Sequence, residues 1–297
     1  MSGLGVGVVG LGNMGGRIAT RIQAGGHSLL GYDSDAERAP ARGIAAATTL
    51  AELVAAVDLV LLSLPDSVVV EAVVRGDGGI LAGAREGQIV VDLSTSNPSS
   101  TRELAGELEQ RGVAMLDAGI SGGAAGAEKG TLTIMVGGHA EALERARPVL
   151  ARFSEKILHM GPAGAGHATK LLNNFLNAVT LAATAEVMVA ARMAELDLAQ
   201  VLEVINSSSG VSFASLNRFP SIIEGDYLEG GLTSRLMLKD VTLYLDMLHE
   251  LGAPSLNVAG PMASFGLALG LGYGDVISNR VVDAIGDVAG GVRLSAG

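Results

Sequence analysis

A chain of 297 residues can bury a substantial core as one large or two ordinary domains. With 48% hydrophobic and 17% charged residues it reads as globular rather than disordered, and its net charge of −11 excludes the basic footprint of a nucleic-acid or anionic-membrane surface. The absence of cysteine excludes disulfides and thiol chemistry.

The N-terminal stretch MSGLGVGVVGLG lacks the basic start and cleavage site of a secretory signal, so a cytoplasmic protein is expected. From residue 1 to about 160, short apolar runs alternate with helical stretches. The runs are 5–9, 28–32, 58–64, 88–93, 114–118, 131–136 and 156–160, and helices are expected at 98–112 and 140–153 among others. Strands alternating with helices at this spacing predict βαβ units and a largely parallel sheet covered on both faces. After Gly161 the strand pattern stops. Residues 168–195 form one apolar-periodic segment, interrupted by Glu186 and Arg192, that reads as a buried helix rather than a membrane span. Further helices follow, including 234–252, which Gly252 and Pro254 terminate. The expected architecture is α/β: a Rossmann-type doubly wound sheet over residues 1–162, then a long interdomain helix and an all-helical domain over 163–297. A helix this apolar is hard to cover within one small domain, so a homodimer or homotetramer through the helical part is expected.

Gly10, Gly12 and Gly15 form G-x-G-x-x-G between the first strand and the first helix. Gly10 permits the turn, Gly12 admits a pyrophosphate to the backbone, and Gly15 allows close helix–strand packing. Asp33 ends the next strand, 23 residues beyond Gly10, where a carboxylate accepts the ribose hydroxyls of NAD and repels the extra phosphate of NADP. NAD is therefore expected over NADP; the plain alternative for Asp33 is the N-cap of a following helix.

Ser121, Gly122 and Gly123 offer a hydroxyl and unobstructed amides, either an anion nest or an ordinary flexible turn. In GPAGAGHATKLLNN, Gly166 and Lys170 stand four apart, which rules out a P-loop. In a helix Lys170 and Asn174 share a face at i and i+4, and Asn177 continues it among apolar neighbours. A lysine there suits proton exchange with an alcohol, against the bland reading of a solvated helix charge. The five histidines show no metal-ligand spacing, so no metal is expected.

Taken together these segments resemble the β-hydroxyacid dehydrogenase family. GLGNMGGRIA is similar to its cofactor loop, DLSTSNP to its D-x-S-T-x-x-P segment, DAGISGG to its substrate segment, GPAGAGHATKLLNN to its catalytic segment and LMLKDVTL to its K-D segment. The resemblance implies hydride transfer between nicotinamide and a small 3-hydroxy acid or its semialdehyde. It implies Lys170 as general acid/base with Asn174 as its partner, and Ser121, Gly122 and Gly123 at the substrate carboxylate. The cofactor would lie against Gly10, Leu11, Gly12, Asn13, Met14, Gly15, Asp33, Leu64, Pro65 and Thr95, with Lys239 closing from the helical part. Imine reductases and 6-phosphogluconate-type dehydrogenases share the pattern; Lys170 argues against the first and chain length against the second. A silent NAD-binding sensor would have no need of the Lys170–Asn174 pair. The chain departs from the family pattern at Gly119-Ile120, Val211 and Ile277, which leaves the reaction type but not one particular substrate.

Overall fold

A computed structural model describes residues 4–295. The chain divides into two compact units, Met1–Lys170 and Leu171–Gly297. In the first, eight strands form one sheet: β1 (Val6–Val9), β2 (Leu29–Tyr32), β3 (Ala45–Ala46), β4 (Leu59–Leu62), β5 (Ile89–Asp92), β6 (Ala114–Ser121), β7 (Leu132–Gly137) and β8 (Ser154–Gly161). Their order is β3-β2-β1-β4-β5-β6-β7-β8. Neighbours pair in parallel except β6 with β7, so β7 and β8 run against the first six. The helices of this unit are α1 (Asn13–Ala24), α2 (Leu50–Ala56), α3 (Ser67–Arg75), α4 (Ile80–Gly83), α5 (Pro98–Glu109), α6 (Gly123–Lys129) and α7 (Ala140–Leu150).

The central strands read VGVV, LVLL and IVVD and are buried along their whole length, as a sheet covered on both faces requires. Alternate residues serve opposite faces. Val8, Leu61 and Val91 pack with Ile18, Ile22, Leu143 and Phe153 on one side. Val9, Val60, Leu62 and Val90 pack with Leu53, Val54, Val70 and Leu104 on the other. Truncating any one of these fully buried leucines to alanine costs about 2–5 kcal/mol, a large share of a domain's stability. Short polar side chains start the covering helices: the Asp66 carboxylate accepts the Val69 amide, and Asn97 accepts the Ser99 amide just ahead of Pro98 in the first turn of α5. The sheet thus has the doubly wound order, with strand direction reversing at β7, a feature the apolar runs alone did not reveal.

Helix α8 (Ala165–Met193) begins in the first unit and continues into the second. The second unit adds α9 (Leu198–Asn206), α10 (Phe213–Asn217), α11 (Phe219–Ile222), α12 (Ser234–Leu251), α13 (Ala259–Gly270) and α14 (Val281–Val288). By length and composition alone α8 could cross a bilayer, and half of its most apolar stretch is buried within the protein. Its inward face carries Phe175, Ala178, Leu181, Ala182, Ala185 and Met188, set at three- and four-residue intervals against Phe219, Met237, Val241 and Phe265. Phe175 stacks on Tyr244 of α12 with ring centres 4.0 Å apart. Thr233 caps the start of α12, and Gly252, at φ 64°, ends it where the sequence pattern predicts the stop.

Candidate active site

The carboxyl ends of β1, β4 and β5, three adjacent strands, carry the glycine turn, the Leu64–Pro65 step and Thr95. Strand order reverses between β1 and β4, the place where doubly wound folds bind their ligands. Gly10 has φ 89°, and a β-carbon on it would overlap the Ser63 carbonyl. A β-carbon on Gly15 would overlap the Gly10 carbonyl, so α1 can approach the turn only with glycine there. Gly12 is the N-cap of α1 and supplies no side-chain cap, so the backbone at this helix start forms a cradle of the shape a pyrophosphate fills. Leu11, Asn13 and Met14 lie in the same turn and first helical residues.

Asp33 closes this cradle from the end of β2. Its Oδ2 accepts the Leu11 amide at 2.6 Å and lies 3.4 Å from the Arg38 guanidinium; its Oδ1 accepts the Asp35 amide at 3.0 Å. Burial raises the Asp33 pKa, but the amides of Asp35 and Leu11, the Arg38 charge and the Ser34 hydroxyl outweigh it and hold the carboxyl below its ordinary value. Bends and turns follow Asp33, and the next helical turn begins only at Pro40, so Asp33 is not the N-cap that the sequence left open. It ties the glycine turn to β2 instead.

One face of β6 organises the other half of the unit's polar residues. Asp117, Gly119 and Ser121 alternate along the strand and therefore share that face. Asp117 is fully buried and caps α8: Oδ1 accepts the Gly164 amide and Oδ2 the His167 amide, both at 2.8 Å. A β-carbon at Gly119 would lie 2.6 Å from Lys170 Cβ, so the lysine stem rests on the bare backbone of β6. Ser121 follows on the same face and leads into Gly122 and Gly123, at φ 124° and 63°, which open α6. Lys170 and the Ser121–Gly123 turn are thus set side by side by a single strand.

A buried polar network that sequence reading missed links β5 to α8. Asp92 accepts the Ser94 amide at 2.9 Å and the Ser96 hydroxyl at 3.0 Å. Ser94 Oγ accepts the Leu64 amide at 3.0 Å. The His167 ring, wholly buried, bonds Thr101 Oγ1 through Nδ1 at 2.8 Å and lies 3.3 Å from the Asp92 carbonyl through Nε2. The segments carrying Leu64 and Thr95 are therefore braced against the turn of α8 that carries Lys170.

In the second unit Asn174 is buried and donates through Nδ2 to Asp240 Oδ2 at 2.6 Å. Lys239 Nζ lies 3.3 Å from Asp240 Oδ1. Asp240 therefore joins two residues that the sequence singled out while itself passing unassigned.

Two family profiles match in succession. Residues 5–161 match the NAD binding domain of 6-phosphogluconate dehydrogenase, and residues 164–277 match the NAD-binding region of NADP-dependent 3-hydroxyisobutyrate dehydrogenase. The chain belongs to the β-hydroxyacid dehydrogenase family. An NAD-dependent L-serine dehydrogenase from Pseudomonas aeruginosa is 39% identical over 88% of this chain and 89% of its own. The 2-(hydroxymethyl)glutarate dehydrogenase of Eubacterium barkeri is 34% identical over 98% of both. Among solved structures, Mycobacterium tuberculosis 3-hydroxyisobutyrate dehydrogenase with L-serine superposes with a TM-score of 0.85 at 31% identity, over 94% of this chain and 98% of that one. Membership in the β-hydroxyacid dehydrogenases carries the reaction class, NAD-dependent hydride transfer, and agrees with the cradle around Gly10–Gly15.

Proposed function

We propose that the protein interconverts a small 3-hydroxy acid and its semialdehyde, with Lys170 as general acid/base. The observation that carries this reading is the shared face of β6, where the Lys170 stem sits on Gly119 and Ser121 opens the Gly122–Gly123 turn. A carboxylate received by the Ser121 hydroxyl and the two glycine amides has its 3-hydroxyl within reach of a lysine on the same face. L-serine and 2-(hydroxymethyl)glutarate, named in the two relatives, are both 3-hydroxy carboxylic acids.

Bound NAD supplies the hydride acceptor. In oxidation Lys170 Nζ takes the hydroxyl proton as the carbonyl forms, and in reduction it returns that proton. Asn174, its nitrogen committed to Asp240, offers its oxygen to the ammonium or the hydroxyl. With NAD bound, Asp33 would select the unphosphorylated ribose, Gly10, Gly12 and Gly15 with Leu11, Asn13 and Met14 would hold the phosphates, Leu64, Pro65 and Thr95 would border the nicotinamide, and Lys239 is proposed as a further cofactor residue. The protein acts in the cytoplasm as a homodimer or homotetramer; exposed Leu172, Leu176, Val187 and Met193 along α8 support association through the helical unit.

The test is NAD-coupled absorbance with a panel of 3-hydroxy acids, their semialdehydes and 2-hydroxy analogues. Turnover confined to 3-hydroxy acids and semialdehydes is expected; silence on all of them contradicts the proposal.

A further inference from the structure

The loop after β2 folds back over the glycine turn, and three charged side chains meet there. Arg38 lies with Nη1 3.4 Å from Asp33 Oδ2 and Nε 3.3 Å from Asp35 Oδ2. Its guanidinium rests against Gly12, where a β-carbon would lie 3.4 Å from Nη1. Four residues on, Arg42 lies across the bare backbone of Gly16 in α1 and donates to the Arg38 carbonyl at 3.3 Å. The loop is thereby held against the start of α1, with the Arg38 guanidinium at the rim of the cradle.

The two acids differ in what they can still do. Asp33 keeps only 7% of its side chain exposed, and both of its oxygens already accept backbone amides, from Leu11 and Asp35. Asp35 is 53% exposed. Its Oδ1 accepts the Glu37 amide at 3.2 Å and shapes the turn, while its Oδ2 faces Arg38. An open, largely apolar cavity of about 580 Å³ begins at Tyr32, next to Asp33, and runs between α2 and α3 past Leu50, Val68 and Val69. Its size and lining suit the flat base of NAD, and a base seated there places the adenosine ribose at Asp33 with Asp35 and Arg38 beside it. A phosphate on that ribose adds close to two negative charges, against two carboxylates and one guanidinium. Without the Asp35 charge, one acid faces one arginine, and Nε and Nη are free for a bidentate grip on phosphate. Exposed ion pairs hold weakly, so Arg38 needs little to change partner once one acid is gone.

We propose that Asp35 is a second determinant of cofactor choice: it holds Arg38 neutralised beside Asp33, so that the arginine is withheld from the ribose phosphate of NADP. The inference rests on the placement of the ribose at Asp33 proposed above. Asp33 receives the ribose hydroxyls of NAD; Asp35 acts through Arg38 and takes no part in hydride or proton transfer.

The test titrates NADH and NADPH by their fluorescence, with no substrate present, against wild type, Asp35→Asn, Asp35→Glu, Arg38→Met and the double variant Asp35→Asn, Arg38→Met, all at one salt concentration. Asp35→Asn keeps an acceptor for the Glu37 amide and loses the charge. It should tighten NADPH by about tenfold to a hundredfold, the range for a charge-assisted contact, with NADH affinity close to wild type. Asp35→Glu should keep the wild-type preference. Arg38→Met alone should weaken NADPH further, and added to Asp35→Asn it should abolish the gain. Unchanged NADPH binding in Asp35→Asn, or a gain that survives the loss of Arg38, overturns the proposal. Should Asp35→Asn melt early, Asp35→Ser, whose hydroxyl can hold the same turn, repeats the comparison. Asp33→Ala separates the two readings. A shift toward NADPH there with none in Asp35→Asn rejects the Asp35–Arg38 clamp and keeps Asp33 at the ribose. No shift in either variant rejects the ribose placement as well.

Discussion

Asp117 Oδ2 accepts the backbone amide of His167 at 2.8 Å, which pins the first turn of α8 to β6 three residues before Lys170. The same carboxylate holds the Gly164 amide through Oδ1. Asp117→Ala strands both buried amides, at about 1–3 kcal/mol each, and frees the turn that aims the lysine. The variant should melt at a lower temperature and lose kcat; Asp117→Asn, which retains one acceptor, should fall between. Unchanged melting in Asp117→Ala would contradict this anchoring role.

His167 braces the same turn through its ring. His167→Leu removes the bonds to Thr101 and the Asp92 carbonyl. Steady-state kinetics should show kcat reduced by about tenfold, the scale of a misplaced catalytic group, with partial recovery in His167→Gln. No recovery in His167→Gln, together with a collapsed fold of both variants on circular dichroism, would assign the ring to packing alone.

The proposed role of Asp33 in cofactor choice is open to a direct test. Asp33→Ala removes the acceptor for ribose hydroxyls and releases Arg38, now 3.4 Å away, to meet a ribose phosphate. The ratio of kcat/KM for NAD over NADP should fall by about tenfold or more. An unchanged ratio would remove Asp33 from the cofactor site.

Acid stability gives a second handle on Asp33. Folding lowers its pKa from the ordinary 3.8, so the folded state binds this proton less tightly than the unfolded chain does. The resulting stabilisation is complete above 3.8 and is lost as pH falls through the lower folded value. Denaturant melts in that acid window should show wild type losing more stability than Asp33→Asn. Parallel curves would mean that the Leu11 and Asp35 amides do not favour the charged form.

Local features made much of this molecule legible. The glycine turn and Asp33 are read from spacing along two consecutive strands, and Gly252 ends α12 where the pattern stops. Lys170 stands out because lysine is rare in the chain. Asp117 and Asp240 did not stand out, because each has meaning only beside a residue about 50 or more positions away, His167 for the first and Asn174 for the second. The period-2 alternation of Asp117, Gly119 and Ser121 was present in the sequence, yet nothing local shows that α8 lands on that face. Strand β3, two exposed alanines, has no apolar signal at all. The reversal at β7 depends on pairing partners rather than on composition.

The central claim is that Lys170 moves the proton, and single-turnover kinetics of Lys170→Ala alongside NAD titration tests it most directly. Hydride transfer should slow by about 10²–10⁴-fold, the scale of a positioned acid/base, while NAD affinity stays close to wild type. Near-normal transfer in that variant would contradict the account.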